Sequence, residues 1–163
     1  MKTAAASVRT RVPPFQEFLD ANRATVYRFL RVAVGPQNAD DVFQETFVAA
    51  LRGYRRLTDG EKLDHWILTI ASRKAIDHHR ATGRRAIPID VVPDTPVHDK
   101  HHDATDPLWN AVRALAPRQR IAVVHRHVLD RSYGDIAELM ACSEQTARAN
   151  VHQGMKRLRE LMT

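Results

Sequence analysis

Apolar residues recur every three or four positions along most of the chain, a pattern that predicts amphipathic helices rather than strands. The first run begins at Phe15 and stops at Gly35-Pro36. A second helix is expected over 38–53 and a third over about 63–80, with Thr58-Asp59-Gly60 in the loop between them. The residues expected to face the core are Phe15, Phe18, Leu19, Val26, Phe29, Leu30, Val34, Val42, Phe43, Phe47, Ala50, Leu51, Trp66, Ile67, Ile70 and Ala71.

The second half of the chain repeats the helical pattern after an interruption. Residues 86–106 carry three prolines and five aspartates with little apolar periodicity, which predicts a flexible acidic linker. Helices are then expected from Pro107 with Leu108 in its core stripe, over 117–129, over 133–140 and from about Ser143 to Leu161. No segment shows strand-like alternation, so the predicted fold class is all-α.

Two small helical domains are therefore expected, joined by the flexible acidic linker, with the second one a helix-turn-helix domain. The predicted organisation is a disordered tail over 1–13, a first domain over 14–85, the linker over 86–106 and a second domain over 107–163.

Particular residues are expected to begin, end or weaken these helices. Asn38, Asp40 and Asp41 suit the N-terminus of the second helix, both as caps and by their interaction with the helix dipole. Ser143 is expected to cap the last helix. Gly154 lies inside that helix, where glycine costs about 1 kcal/mol relative to alanine.

The charge of the chain favours a polyanionic partner. The chain has 25 Lys and Arg against 19 Asp and Glu, a net charge of +6. Residues 1–85 carry 15 basic and 9 acidic side chains (+6), residues 107–163 carry 9 and 5 (+4), and the linker carries 1 and 5 (−4). Two basic blocks separated by an acidic segment favour two modules that each bind a polyanion.

Several classes of protein are excluded or disfavoured by composition. No apolar run approaches the ~20 residues of a membrane span, so no membrane insertion is expected. A single cysteine, Cys142, excludes an intramolecular disulfide and a multi-cysteine zinc site. The basic start, Met1 to Arg11, lacks the apolar core of a secretory signal. An organelle presequence is the alternative to a disordered tail there, and the tail with a cytoplasmic location is preferred.

Residues 133–156 carry the pattern of a helix-turn-helix. A short helix with Ile136, Ala137 and Met140 facing inward is followed by a turn at Ala141-Cys142 and by the last helix. In this motif the second helix enters the DNA major groove. The outward residues expected to contact bases or phosphates are Gln145, Thr146, Arg148, Ala149, His152, Gln153 and Lys156.

Four segments in order resemble those of one family. Residues 40–50, Asp-Asp-Val-Phe-Gln-Glu-Thr-Phe-Val-Ala-Ala, are similar to the acidic helix of bacterial sigma factors, and residues 66–80 are similar to their promoter-melting and minus-ten-reading segment. Residues 114–120 and 132–138 are similar to the start of their minus-thirty-five-reading domain. With only two domains, the chain resembles the small extracytoplasmic-function (ECF) group of the sigma-70 family of RNA polymerase sigma factors.

This resemblance implies an alternative sigma factor that binds core RNA polymerase, directs it to specific promoters and helps to open the minus-ten DNA. The residues implied to dock on a helical coiled coil of the polymerase are Asp41, Gln44, Glu45 and Phe47. Those implied to hold the minus-ten element are Arg55, Arg56, Lys62, Arg73, Lys74, His78, Arg80 and Arg84. Arg73 stands where many members carry Asn, and Trp66 is expected to be a core residue rather than a platform for stacked bases. An anti-sigma factor is a further implied partner.

Two other functions are weighed against this one. A helix-turn-helix regulator that acts without polymerase would not need the acidic helix followed by the Trp66 helix. A metal-dependent nuclease would use the histidines and aspartates of residues 98–103. A linker rich in titratable side chains is the simpler interpretation of that segment. Since no phosphate-binding glycine loop or activated nucleophile is present, no enzyme, metal or cofactor is expected.

Overall fold

Seven α-helices and no strand make up residues 9–85 and 106–163, the part of the chain that the computed structural model describes. This confirms the all-α fold class. The helices are α1 (Phe15–Val34), α2 (Pro36–Tyr54), α3 (Leu63–Arg85), α4 (Pro107–Arg113), α5 (Pro117–His127), α6 (Tyr133–Leu139) and α7 (Glu144–Met162).

A glycine separates α1 from α2. Gly35 has a φ of +86°, a conformation that residues with a side chain rarely adopt, and Pro36 then occupies the first turn of α2. The helix therefore begins before residue 38. No side chain caps it, and the Asn38 amide donates instead to the Val34 carbonyl at 3.1 Å. The expected capping by Asn38, Asp40 or Asp41 is wrong, because Gly35-Pro36 moves the helix start upstream of these residues.

Aromatic rings fill the centre of the core formed by α1, α2 and α3. The ring centroid of Phe18 lies 5.1 Å from that of Tyr54 and 5.8 Å from that of Trp66. Trp66 thus packs against the core, as predicted. Leu51 is 52% exposed, so its assignment to the core is wrong. It follows the buried Ala50 by one position, and a rotation of about 100° per residue turns it outward.

The segment before α1 packs against the loop between α2 and α3. The backbone N–H of Thr10 donates to the Asp59 carboxylate at 3.0 Å, and the Gly60 N–H donates to the Thr10 carbonyl at 2.7 Å. The Tyr54 hydroxyl donates to the Pro13 carbonyl at 2.5 Å. Residues 9–13 are therefore held in place, whereas the sequence predicts a disordered tail over 1–13.

The helix-turn-helix forms as the pattern predicts. Ser132 and Asp135 make a capping box at the start of α6, in which each side chain accepts the backbone N–H of the other residue. The Ser143 hydroxyl accepts the N–H of Thr146 at 3.1 Å, which confirms Ser143 as the N-cap of α7. The inward residues of α6 are buried, namely Ile136, Ala137, Leu139 and Met140.

The short helix α4 opens the second half. The Asp106 carboxylate accepts the N–H of Leu108 at 2.9 Å and caps the helix. Ala111 and Val112 are buried, but Leu108 is 45% exposed. Its assignment to the core is wrong, because the capped first turn of this seven-residue helix extends beyond the core.

The two halves pack against each other through α1 and α3 on one side and α4, α5 and α6 on the other. Ser72 on α3 and His125 on α5 are both buried, and the Ser72 Oγ lies 2.9 Å from the His125 Nε2. Arg131 donates from Nη2 to the Asp64 Oδ2 at 3.0 Å at the edge of this contact.

One arginine ties the end of α1 to the second half. Arg120 donates from Nη1 to the Ala33 carbonyl at 2.7 Å, in the last turn of α1. Its Nη2 donates to the carbonyls of Arg113 and Leu115 at 2.6 and 3.0 Å. A single guanidinium thus satisfies carbonyl groups at the ends of two helices, where such groups lack helical partners.

Two sequence-based expectations lie outside the described residues. One is the linker over 86–106, of which only Asp106 is described, and the other is the set of histidines and aspartates over 98–103. Within the described residues no cluster of three His, Cys, Asp or Glu side chains is arranged to hold a metal ion. Nor is any helix of that part of the chain long and apolar enough to cross a membrane.

Candidate polymerase-docking and nucleic-acid interfaces

Three polar side chains that the sequence assigns to polymerase docking share one side of α2. Asp41, Gln44 and Glu45 are exposed and stand at helical positions i, i+3 and i+4. Phe47 does not join them. It is 6% exposed and its ring centroid lies 4.7 Å from that of Phe43. The structure therefore places Phe47 in the core, because its position on α2 falls on the side that packs against α1.

Two apolar side chains extend this exposed side of α2. Val48 and Leu51 are 50% and 52% exposed, and they follow Gln44 by one and two helical turns. Exposed apolar residues beside polar ones are a composition typical of protein–protein contacts. We call Asp41, Gln44, Glu45, Val48 and Leu51 the docking face. The sequence pattern assigns Leu51 to the core and gives no role to Val48, although the position of Val48 one turn beyond Gln44 is a signal for it.

Basic side chains line the exposed side of α3 and the connection between α2 and α3. The buried side of α3 includes Ile67, Ala71, Ser72, Ala75 and Ile76, so the other side of this helix faces solvent. The basic-face residues on α3 are the exposed Arg73 and Arg80 and the half-buried Lys74 and His78. Arg55, Arg56 and Lys62 are exposed on the connection between α2 and α3. The side chain of Arg84 lies outside the described residues.

The basic face of α3 adjoins the second half of the chain. Arg80 lines a cleft together with Arg118, Gln119 and Asn150, the last of which is on α7. The neighbouring His79 also lines this cleft, and its Nε2 lies 2.6 Å from the Ala33 carbonyl. The two predicted DNA-binding surfaces thus lie side by side in this arrangement.

The last helix presents one continuous polar surface. All seven residues predicted to face outward on α7 are exposed, namely Gln145, Thr146, Arg148, Ala149, His152, Gln153 and Lys156. The buried side of α7 consists of Ala147, Val151, Gly154 and Leu158. We call the seven exposed residues the recognition face.

Some side chains of the recognition face are already engaged within the protein. Arg148 donates from Nη2 to the Glu144 Oε1 at 2.8 Å. Gln153 accepts a hydrogen bond at 3.3 Å through its Oε1 from the Gln119 Nε2 on α5. These contacts restrict how the side chains can reach a DNA groove.

Gly154 has a packing role that the sequence analysis did not identify. A Cβ at this position would lie 2.6 Å from the Val123 Cγ2 of α5, closer than two carbon atoms can approach. The absence of a side chain at residue 154 therefore allows α7 to pack tightly on α5. The glycine that lowers helix propensity also sets the position of the recognition face on the rest of the domain.

The buried histidine between the two halves is uncharged at neutral pH. Burial, with smaller contributions from the nearby Arg131 and His65, lowers the pKa of His125 from 6.5 to about 3. The ring packs on Phe29, with the two centroids 4.8 Å apart. His125 thus serves as a neutral core residue that also bonds to Ser72.

Both halves of the chain match known protein families. The family model of sigma-70 region 2 matches residues 18–85, and that of sigma-70 region 4 matches residues 105–158. The docking face and the basic face lie within the first match, and the recognition face lies within the second.

Individual relatives align along most of the chain. The RNA polymerase sigma factor CarQ of Myxococcus xanthus is 28% identical over 158 residues, which cover 91% of this chain and 88% of CarQ. The ECF RNA polymerase sigma factor SigC of Mycobacterium tuberculosis is 28% identical over 142 residues, covering 83% of this chain and 76% of SigC. Among solved structures, the sigma factor RpoE of Bartonella quintana, in complex with the anti-sigma factor NepR, has a similar fold. Its TM-score is 0.72 at 24% identity, over 91% of this chain and 96% of that one.

Proposed function

Because this chain belongs to the extracytoplasmic-function group of the sigma-70 family and is an RNA polymerase-associated alternative sigma factor, we propose that its two halves divide promoter recognition between them. Residues 14–85 bind core polymerase and the minus-ten element, and residues 107–163 bind the minus-thirty-five element. The observation that carries this division is the exposed docking face on α2, whose residues lie outside the basic residues of α3 and the recognition face of α7. A helix-turn-helix regulator that acts alone has no use for such a face.

The docking face is suited to a partner helix with basic and apolar side chains. Asp41 and Glu45 supply negative charge, Gln44 supplies an amide, and Val48 and Leu51 supply apolar area that binding would remove from water. Charged residues around such a contact set its orientation and the rate of association, while the apolar residues supply most of the affinity.

The basic face of α3 is suited to the minus-ten strand. Arg73 and Arg80 are exposed cations about two turns apart on the same helix, and together they form a surface suited to the phosphate backbone. Lys62, Arg55 and Arg56 extend the positive charge to the loop before α3. Trp66 takes no part in base stacking under this proposal, because it packs on Phe18.

The recognition face is suited to the major groove. Arg148 lies in the second turn of α7, near the helix start that enters the groove in this motif. Arginine can donate two hydrogen bonds to the O6 and N7 of guanine, while a lysine further along the helix contacts the phosphate backbone. We therefore assign Arg148 to base reading and Lys156 to phosphate binding.

The chain contributes binding rather than chemistry. Sigma factors are non-enzymatic initiation factors, and the proposal gives this chain no catalytic step and no cofactor. The polymerase makes RNA, and this chain selects where synthesis starts. A cytoplasmic location follows from that role, since the template and the polymerase are there in a bacterium.

An anti-sigma factor is a proposed regulatory partner. The related RpoE was solved in complex with the anti-sigma factor NepR. In this chain a groove of about 370 Å³ runs between the two halves, with Phe29, Val32, Trp109 and Val128 in its lining. An apolar helix of an anti-sigma factor placed in this groove would hold α1 against α4 and α5.

The test separates a sigma factor from a polymerase-independent regulator. A fluorescent duplex carrying both promoter elements is titrated with the chain, with core polymerase, and with both together, at one fixed salt concentration. The proposal predicts specific binding only when chain and core are combined. Specific binding by the chain alone, unchanged by core, would support the regulator instead.

A further inference from the structure

One aromatic side chain contacts the proposed base-reading arginine. Tyr133 is the first residue of α6, and the Cζ of Arg148 lies 4.4 Å from the centroid of its ring. A guanidinium at this distance is attracted to the ring by a cation–π interaction. Tyr133 is only partly exposed, since it also packs against the core of the second half. The ring therefore links the start of α6 to the recognition face.

A carboxylate contacts the same guanidinium. The Glu144 Oε1 accepts the hydrogen bond from Arg148 at 2.8 Å, across one turn of α7. Its other oxygen, Oε2, lies 4.0 Å from the point where a Cβ of Gly134 would stand. Glu144 thus occupies the space between the first turns of α6 and α7.

A second arginine contacts the ring of Tyr133. The Cζ of Arg126, on α5, lies 4.6 Å from the ring centroid. Arg126 is itself fixed, because its Nη1 donates to the Arg131 carbonyl at 3.1 Å in the connection before α6. The ring is therefore held by contacts from the body of the domain as well as from α7.

We propose that Tyr133 and Glu144 are positioning residues for sequence reading: they form a clamp that orients the Arg148 guanidinium toward the base edge. The inference rests on the proposed role of Arg148 and extends it to two residues that need not touch DNA. Glu144 engages one N–H of a group that has five, which leaves the others for a guanine.

The physical basis of the clamp is that it orders the Arg148 side chain before DNA binds. An arginine on a helix surface has several flexible bonds, and a bidentate contact with guanine is formed by only a few of its conformations. A side chain ordered before binding loses less entropy on contact with the base. The clamp should therefore raise the preference for guanine over other bases at one promoter position and leave general DNA affinity unchanged.

The test measures base preference with the holoenzyme. A promoter library randomised through the minus-thirty-five element is transcribed by core polymerase with wild-type chain, with Arg148→Ala, with Tyr133→Leu and with Tyr133→Phe. Arg148→Ala identifies the position at which guanine preference is lost. Tyr133→Leu should reduce the preference there by about two- to fivefold, the loss expected of one exposed cation–π contact. Tyr133→Phe keeps the ring and should retain the preference.

A double variant and a control exclude a merely structural role. Tyr133→Leu added to Arg148→Ala should cause no further loss at that position, because the clamp acts only through Arg148. Lys156→Ala should weaken all promoters about evenly and leave the base preference intact. If Tyr133→Leu does not fold, as judged by circular dichroism, Glu144→Gln provides the same test at an exposed site.

The possible outcomes distinguish failure of the clamp from failure of base reading by Arg148. Position-specific loss with Tyr133→Leu or Glu144→Gln, but not with Tyr133→Phe, supports the clamp. Loss with Arg148→Ala but none with either clamp variant overturns the clamp and leaves the role of Arg148 standing. Equal loss on every promoter with Arg148→Ala contradicts base reading by Arg148, and the clamp then fails with it.

Discussion

The Ser72 Oγ of α3 lies 2.9 Å from the His125 Nε2 of α5, and both side chains are fully buried. This hydrogen bond joins the proposed minus-ten half of the chain to the proposed minus-thirty-five half. A polar pair shielded from water stabilises the contact only while both groups keep their partners, because an unpaired buried polar group costs about 1–3 kcal/mol.

The first prediction is a loss of stability in acid that depends on His125. Its pKa is about 3 in the folded chain and 6.5 without burial, so below pH 6.5 the unfolded chain binds a proton that the folded chain does not. The free energy of unfolding should therefore fall as the pH drops from 6.5 toward 3, with a contribution approaching about 1.4 kcal/mol per pH unit.

Urea titrations at pH 7, 6 and 5 measure this slope. In the His125→Gln variant the other histidines and the carboxylates still titrate, so subtracting its slope isolates His125. An identical slope in the variant would show that His125 is not a buried neutral group.

The second prediction concerns the separation of the two halves. The names of the two elements imply a distance of about 25 base pairs, or about 85 Å at about 3.4 Å per pair. In the structure the basic face of α3 and the recognition helix line one cleft through Arg80 and Asn150. Both elements can therefore be bound only after α4, α5 and α6 separate from α1 and α3. The Asp64–Arg131 ion pair lies at the edge of that contact, with the Asp64 side chain exposed and that of Arg131 mostly buried.

A charge swap tests this contact. Asp64→Arg should place two cations together and shift the chain toward a more extended form, with a larger radius of gyration in small-angle X-ray scattering. Arg131→Asp should do the same, and the double variant should restore the wild-type radius because the pair re-forms with reversed polarity. A radius unchanged by both single variants would contradict closure through this contact.

The third prediction concerns two glycines with opposite roles. Gly154→Ala should lower the stability by about 1 kcal/mol, because the clash with the Val123 side chain outweighs the gain in helix propensity. Gly83→Ala is the matched control: among the described residues, no atom beyond the adjacent residues and the nearby helix backbone lies within 4 Å of its new Cβ, so the stability should rise by up to about 1 kcal/mol. Thermal unfolding of both variants measures whether each substitution lowers or raises the stability.

Val123→Ala provides a further check on the Gly154 prediction. This change alone creates a cavity, but in the Gly154→Ala background it should cost less, since the new methyl group fills part of the space. Additive losses in the double variant would mean that the two residues do not compete for one volume.

The fourth prediction concerns the docking face. Glu45→Lys and Leu51→Asp should each weaken binding to core polymerase by about tenfold or more, because one reverses a charge and the other removes apolar area at the contact. Both residues are exposed, so thermal stability should change by about 0.5 kcal/mol or less. Asp20→Lys, an exposed charge reversal on α1, should leave the affinity unchanged. Equal losses in all three variants would indicate a general effect of charge or folding.

The sequence predicts the individual helices well and their mutual packing poorly. Periodicity and caps such as Ser143 are local, so they locate α1 to α3 and the helix-turn-helix. The contact between Ser72 and His125 joins residues 53 positions apart. No local pattern encodes it, because each residue also fits an ordinary polar position in its own helix.

In the candidate site, too, the sequence predicts the exposed side of a helix better than the contacts between helices. The recognition face could be predicted because the exposed positions of an amphipathic helix recur once per helical turn. The sequence pattern places Phe47 both in the core and at the polymerase contact, and it gives no role to Val48, since apolar residues at these positions fit a core and an interface equally well. Only packing distinguishes them: Phe47 meets Phe43, whereas Val48 and Leu51 meet solvent. The role of Gly154 likewise depends on Val123, a residue of another helix.

The central claim is that this chain selects promoters for RNA polymerase, and transcription in vitro tests it most directly. Core polymerase is incubated with a library of DNA templates, with and without the purified chain, and the transcript starts are sequenced. If the chain selects promoters, some starts should appear only with the chain and share two motifs, one centred about 10 and one about 35 base pairs upstream, as the two element names specify. These starts should become weaker with Glu45→Lys. The same starts with core alone, or no starts that depend on the chain, would contradict the claim.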